Sequence, residues 1–148
     1  MKVILKKINN GQHSLNITRS DLTGDLTLPN TETYLLHDIC HFFVESQLEL
    51  KNGFWGMLAQ GYDIEQLSGK TNELTEELRR IECMVGGVQS IYSNHMSPEQ
   101  YWNYLKHQEI SIADKEFIHE AIPKIRSFMH SWKYLPVGES IELDFTVA

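Results

Sequence analysis

Hydrophobic residues in this chain recur at about every second position near both ends and at every third or fourth position between them. Side chains alternate across a strand and repeat every 3.6 residues around a helix, so the ends read as strands and the middle as amphipathic helices. At the N-terminus Val3, Leu5 and Ile8 are spaced among lysines, and Asn9-Asn10-Gly11-Gln12 is a turn signal. Beyond it Leu15 and Ile17 point away from Ser14, Asn16 and Thr18. Two short alternating runs about an Asn-Gly turn predict a β-hairpin. Leu26-Thr27-Leu28 can add a third short strand before Pro29 ends it, and Ile141-Glu142-Leu143-Asp144-Phe145 alternates as a last strand. The expected fold is α+β: a small antiparallel sheet built from the N-terminal hairpin and the C-terminal strand, with a central block of about four to five helices.

The first helix is expected over 32–51, capped by Asn30, Thr31 or Thr33, stopped at Asn52-Gly53 and packed on the sheet. A short helix over 54–60 and a loop over 62–70 should follow. Thr71 or Asn72 can cap a long helix through about residue 92, with Leu74, Leu78, Ile81, Val85, Val88, Ile91 and Tyr92 as its apolar stripe. Its other face, Glu73, Glu76, Glu77, Arg79, Arg80 and Glu82, is most simply a solvent face. Gly86-Gly87 inside that helix points to a close helix crossing or a hinge, because glycine weakens a helix interior. Ser97-Pro98-Glu99-Gln100 is a helix start with a capping box, and Ser111 or Asp114 opens a last helix that Pro123 would kink or split.

A chain of 148 residues without repeats, low-complexity tracts or a Pro/Gly-rich linker suits a single domain over 1–148. Twenty acidic residues against thirteen lysines and arginines give a net charge of −7, which argues against nucleic-acid binding. The two cysteines, Cys40 and Cys83, lie in apolar helical patterns and read as small buried hydrophobes. The N-terminal apolar run is too short and polar for a signal peptide, and no window approaches a membrane span, so the cytoplasm is the default expectation.

One segment carries chemistry: His37-Asp38-Ile39-Cys40-His41-Phe42-Phe43-Val44-Glu45. With His37 at 0°, a step of about 100° per residue puts His41 at about 40°, Glu45 at about 80° and Asp38 at about 100°. These polar groups climb one narrow stripe walled by apolar residues, where they need a shared partner. Two histidines at i and i+4 can place imidazole nitrogens on one metal ion, as in the HExxH arrangement, and Glu45 offers a third ligand one turn on. The expected ligands are His37, His41 and Glu45, and Zn²⁺ is the preferred ion for two histidines and a carboxylate. Asp38 would orient a histidine or act as a base, and Glu45 would ligate or act as the base. The alternative is a plain polar face with Asp38 and Glu45 bonded to neighbours.

The stretch Leu36-His37-Asp38-Ile39-Cys40-His41-Phe42-Phe43-Val44-Glu45, followed by Gly53-Phe54-Trp55-Gly56 and Gly61, resembles an uncharacterised family of small bacterial proteins with an HDxxHFxVE-like motif. The resemblance covers residues 35–61 and implies a shared motif without an established activity. His37, Asp38 and His41 are also similar to the HDxxH motif of the zinc-motif proteins of ubiquinone biosynthesis. Those proteins add a glutamate at the position that is Gly53 here. Two functions follow as expectations. One is a metal-dependent hydrolase or lyase acting on a small molecule. The other is a non-catalytic interaction domain whose apolar helix and Phe54-Trp55 segment bind a partner or a second copy as a homo-oligomer.

Overall fold

The computed structural model of the chain describes residues 1–67 and 75–147. Its elements run β1 (Lys2–Lys7), β2 (His13–Thr18), β3 (Gly24–Thr27), α1 (Thr31–Gln47), α2 (Phe54–Ala59), α3 (Ile64–Leu67), α4 (Glu76–Tyr92), α5 (Pro98–His107), α6 (Phe117–Lys133) and β4 (Ser140–Asp144). The strands form one antiparallel sheet in the order β3-β2-β1-β4, so the last strand closes against the first as the alternation predicts. The register sets Leu5 opposite both Leu15 and Ile141, and Val3 opposite both Ile17 and Leu143. These inward side chains of β1 therefore meet apolar neighbours on both sides, and the buried face of the sheet is continuous.

The helices cover that face. Phe42 of α1 meets Phe145 edge-on at 5.5 Å. Two buried cations tie the sheet to helix C-termini. Lys7 Nζ donates to Trp132 O at 2.7 Å and Leu135 O at 2.8 Å at the end of α6. Arg19 donates from Nε to Leu58 O at 2.5 Å and from Nη2 to Tyr62 O at 2.6 Å, at the end of α2. Helix C-termini leave carbonyls without intrahelical donors and carry partial negative charge, so a buried cation is tolerated there. Around this layer α1 packs against α2, α4 and α6. It is buried on most of its circumference for that reason; of its polar stripe His41 and Glu45 are buried, while His37 and Asp38 are half-buried.

Several boundaries differ from expectation. α1 ends at Gln47, before Asn52-Gly53, because Glu49 takes a left-handed conformation with φ 52° and Leu50 N returns to Glu45 O. Gly53 instead precedes α2 as its N-cap. The stretch 62–70, expected as a loop, contains the short helix α3. Thr75 caps α4 through Leu78 N; the expected caps Thr71 and Asn72 lie outside the described residues. β3 begins at Gly24, two residues before the expected strand. α6 starts at Phe117, after both Ser111 and Asp114, and continues unbroken through Pro123 on its exposed face. The capping box at Ser97 and Gln100 is present.

Gly87 shows why one of the paired glycines is needed. A Cβ there would enter the ring of Tyr101, which is fully buried on α5 and donates its hydroxyl to Met84 O at 3.0 Å. The expected result for Gly87→Ala is a loss of about 1–3 kcal/mol, the range for overpacking a filled core. Urea unfolding checks it; an unchanged midpoint would mean that α4 and α5 can part without cost.

Candidate metal centre

His37 and His41 leave α1 one turn apart and meet α4, a helix from which no ligand was expected. His41 Nε2 lies 3.0 Å from Glu82 Oε1, and His37 Nε2 lies 3.4 Å from Glu82 Oε2. One ligand atom from each of His37, His41 and Glu82 lies within 4.8 Å of the other two, so the three could hold a metal ion. Bonds of about 2.0–2.1 Å in a tetrahedron set ligand atoms about 3.3 Å apart, close to both nitrogen–oxygen separations. The imidazoles stand edge to face, with centroids 4.7 Å apart.

The remaining ring nitrogens are held too. His37 Nδ1 is 3.1 Å from Gln89 Oε1, two turns along α4 from Glu82. His41 Nδ1 is 2.9 Å from Glu45 Oε2, and this contact is fully buried. Oxygen acceptors at both Nδ1 atoms favour a proton there and leave both Nε2 atoms turned toward Glu82. Metal-binding histidines are held in this way, by a carboxylate or amide on the nitrogen away from the ion.

Glu45 does not share the point between His37, His41 and Glu82. Its Oε2 faces the opposite nitrogen of the His41 ring, and its Oε1 accepts from Trp55 N at 2.9 Å and Gly56 N at 3.0 Å. The first amides of α2 have no intrahelical acceptor, so they draw the carboxylate toward themselves. Gly53 makes the room: a Cβ at that position would fall on the Glu45 carboxylate. Where the second resemblance would set a glutamate, this chain has a glycine and fills the space with Glu45. Gly56 is as tightly placed, since a Cβ there would meet the carbonyls of Lys51 and Leu50.

Asp38 lies beside the group on α1, half-buried, and its backbone carbonyl accepts from Trp55 Nε1 at 2.9 Å. Burial pushes its carboxyl up to about 6, against the opposing pull of His41 and His37. Burial alone would push His41 down, but the hydrogen bonds to Glu45 and Glu82 outweigh it and raise its pKa to about 9. The hydrogen bond to Glu82 raises His37, against burial and the repulsion of His41. Burial disfavours the charged Glu82, yet its bonds to His37 and His41 hold it well below the usual carboxylate range. His41 is thus held as an imidazolium between Glu45 and Glu82, and a cation at the Nε2 side would take the place of a proton.

Glu82, expected on the solvent face of its helix, instead turns toward α1. Its side chain is 41% exposed and touches both histidines. Sequence offered one clue: Glu82 and Gln89 are seven residues apart and so share a face, bordering Ile81 and Val85. Other candidates lie elsewhere. His13 bonds Thr31 Oγ1 at 2.9 Å and meets Trp132 edge-on; burial pushes it down to about 4, so it is neutral near pH 7. Burial pushes the Cys40 thiol up to about 12, which fits its reading as a core residue. Trp55 is fully buried, so the Phe54-Trp55 segment offers no exposed aromatic pair to a partner. Among the described residues no helix is long and apolar enough to cross a membrane. No family model matches the chain, and no curated protein or solved structure shows significant similarity to it.

Proposed function

We propose that the protein binds a divalent metal ion, with Zn²⁺ preferred, through His37 Nε2, His41 Nε2 and the Glu82 carboxylate. The observation that carries this reading is the pair of oriented imidazoles: Gln89 and Glu45 take the Nδ1 atoms, and both Nε2 atoms are left at one carboxylate. Two nitrogens and one carboxylate suit zinc, and three protein ligands leave a coordination position free, as in catalytic sites. Glu45 then serves as the brace of His41 rather than as a ligand. A bound ion would polarise water or a carbonyl for hydrolysis or a lyase reaction of a small molecule. Asp38, beside the histidines with its carboxyl raised toward neutrality, is suited to take the proton of the attacking group.

Thermal melts with added Zn²⁺ and after chelation test the proposal. At one hundred times its Kd the ion stabilises the folded state by about 2.7 kcal/mol. For a chain of this size that is a rise in Tm of roughly 5–10 °C. His41→Ala and Glu82→Ala should each lose the response. A wild-type melt indifferent to Zn²⁺ would overturn the proposal. The second reading, an interaction domain, draws on the exposed side chains Leu22, Leu26 and Leu28 around β3, at 85%, 60% and 55% exposure. It expects self-association in sedimentation and no metal response.

A further inference from the structure

Gly86 has no structural reason to be glycine. Its backbone is not among the positive-φ positions, its surface is exposed, and a Cβ added there meets nothing within 4 Å. Its neighbour Gly87 is needed to admit Tyr101, but Gly86 faces open space in the middle of a 17-residue helix. Glycine in a helix interior is destabilising relative to alanine, so this position carries a cost that packing does not explain.

Its place in the helix suggests what the gap serves. Gly86 follows Glu82 by four residues and precedes Gln89 by three, and those two side chains hold the two nitrogens of His37. At about 100° per residue Gly86 lies about 40° from Glu82, on the side away from buried Val85. Helical side chains lean back toward the N-terminus and cover the turn before their own Cα. A side chain at position 86 would therefore lie over Glu82. The centre is closed on its other side: His41 is 3% exposed, whereas His37 and Glu82 are 39% and 41% exposed. The solvent-facing approach passes over the His37–Glu82 edge, beside Gly86.

We infer that Gly86 is the access position of the metal centre, the residue whose missing side chain lets an outside ligand reach the free coordination position and whose size limits that ligand. The inference rests on the proposed metal site. Carboxyl groups surround the centre, with Glu82 on the side of both Nε2 atoms, Glu45 behind His41 and Asp38 beside them, so the ligand class is a small neutral or singly charged donor rather than a multiply charged anion.

The test uses the full chain loaded with Co²⁺, whose visible absorption reports added ligands, and two probes of different size, imidazole and 4-phenylimidazole. The wild type should bind both. Gly86→Leu should keep its Co²⁺ affinity within about threefold and its imidazole affinity within about threefold, while 4-phenylimidazole weakens by about tenfold or more. Gly86→Ala should keep imidazole, weaken 4-phenylimidazole by about threefold, and raise Tm by about 2–4 °C, because its methyl narrows the approach while alanine is the better helix former. Unchanged binding of both probes in Gly86→Leu, with Co²⁺ retained, overturns the access role and leaves the metal site standing. A Gly86→Ala variant that is less stable than wild type also overturns it, since the glycine would then serve packing. Failure of the wild type to bind Co²⁺ overturns both readings.

Discussion

Glu45→Ala should lower the stability of the metal-free protein by about 3–5 kcal/mol, the range for removing one partner of a buried ion pair. Glu45 is fully buried and accepts from His41 Nδ1 and from the amides of Trp55 and Gly56. Alanine leaves all three donors without an acceptor in a place that water does not reach. The loss is a large part of the roughly 5–15 kcal/mol that holds a typical domain together, and a drop in Tm on the order of 10 °C should accompany it. Glu45→Gln separates bracing from ligation. The new amide oxygen can still accept from Trp55 and Gly56, but the amide nitrogen would donate to His41 Nδ1. The His41 proton would then move to Nε2, the nitrogen that faces Glu82. The Glu45→Gln variant should therefore retain much of the stability and lose most of the Zn²⁺ response. Guanidinium unfolding and zinc titration of the two variants check this. Full zinc affinity in Glu45→Gln would show that the tautomer of His41 does not matter.

Zinc affinity should rise steeply with pH. In the metal-free protein His41 carries a proton up to about pH 9, and the ion must displace it from Nε2. Each displaced proton makes the apparent affinity rise about tenfold per pH unit below that pKa, so a gain of about a hundredfold between pH 6 and 8 is expected from His41 alone. The raised His37 adds to the slope at the lower end. Stability of the metal-free protein moves the other way. The folded pKa of His41 lies above its ordinary 6.5, so its contribution is full below about pH 6.5 and is lost as pH rises through about 9. The pKa of Glu82 is depressed below its ordinary 4.5, so its contribution is present above that value and is lost as pH falls. His41 and Glu82 together are thus most stabilising between about pH 4.5 and 6.5. Asp38 shifts the optimum to the lower end, because its contribution is lost as pH rises from its ordinary 3.8 through about 6, and zinc adds most above that window. Calorimetric titration with Zn²⁺ at about pH 6, 7 and 8 reads the slope and the released proton directly. A flat profile would mean that the histidines are already neutral at the lowest of these pH values.

The histidine motif of α1 was legible in the sequence because it is local. Two histidines and a carboxylate at four-residue spacing share a helix face whatever the rest of the chain does. The sheet was legible for the same reason, since Val3, Leu5, Leu15, Ile17, Ile141 and Leu143 alternate within short runs and each run has one face to bury. Even the pairing of the last strand with the first follows once both must cover the same helices. What the sequence could not decide is what stands opposite His37 and His41. Glu82 and Glu76 look alike in a string of charged residues, and only the packing of α4 on α1 turns one toward the histidines and leaves the other exposed. The role of Glu45 was hidden in the same way. Its spacing from His41 is helical and visible, but the early stop of α1 at a left-handed Glu49 brings the amides of α2 to its far side. Helix periodicity fixes which side chains share a face. The partner of that face is a contact between His41 and Glu82, far apart in the chain, and no local pattern encodes it.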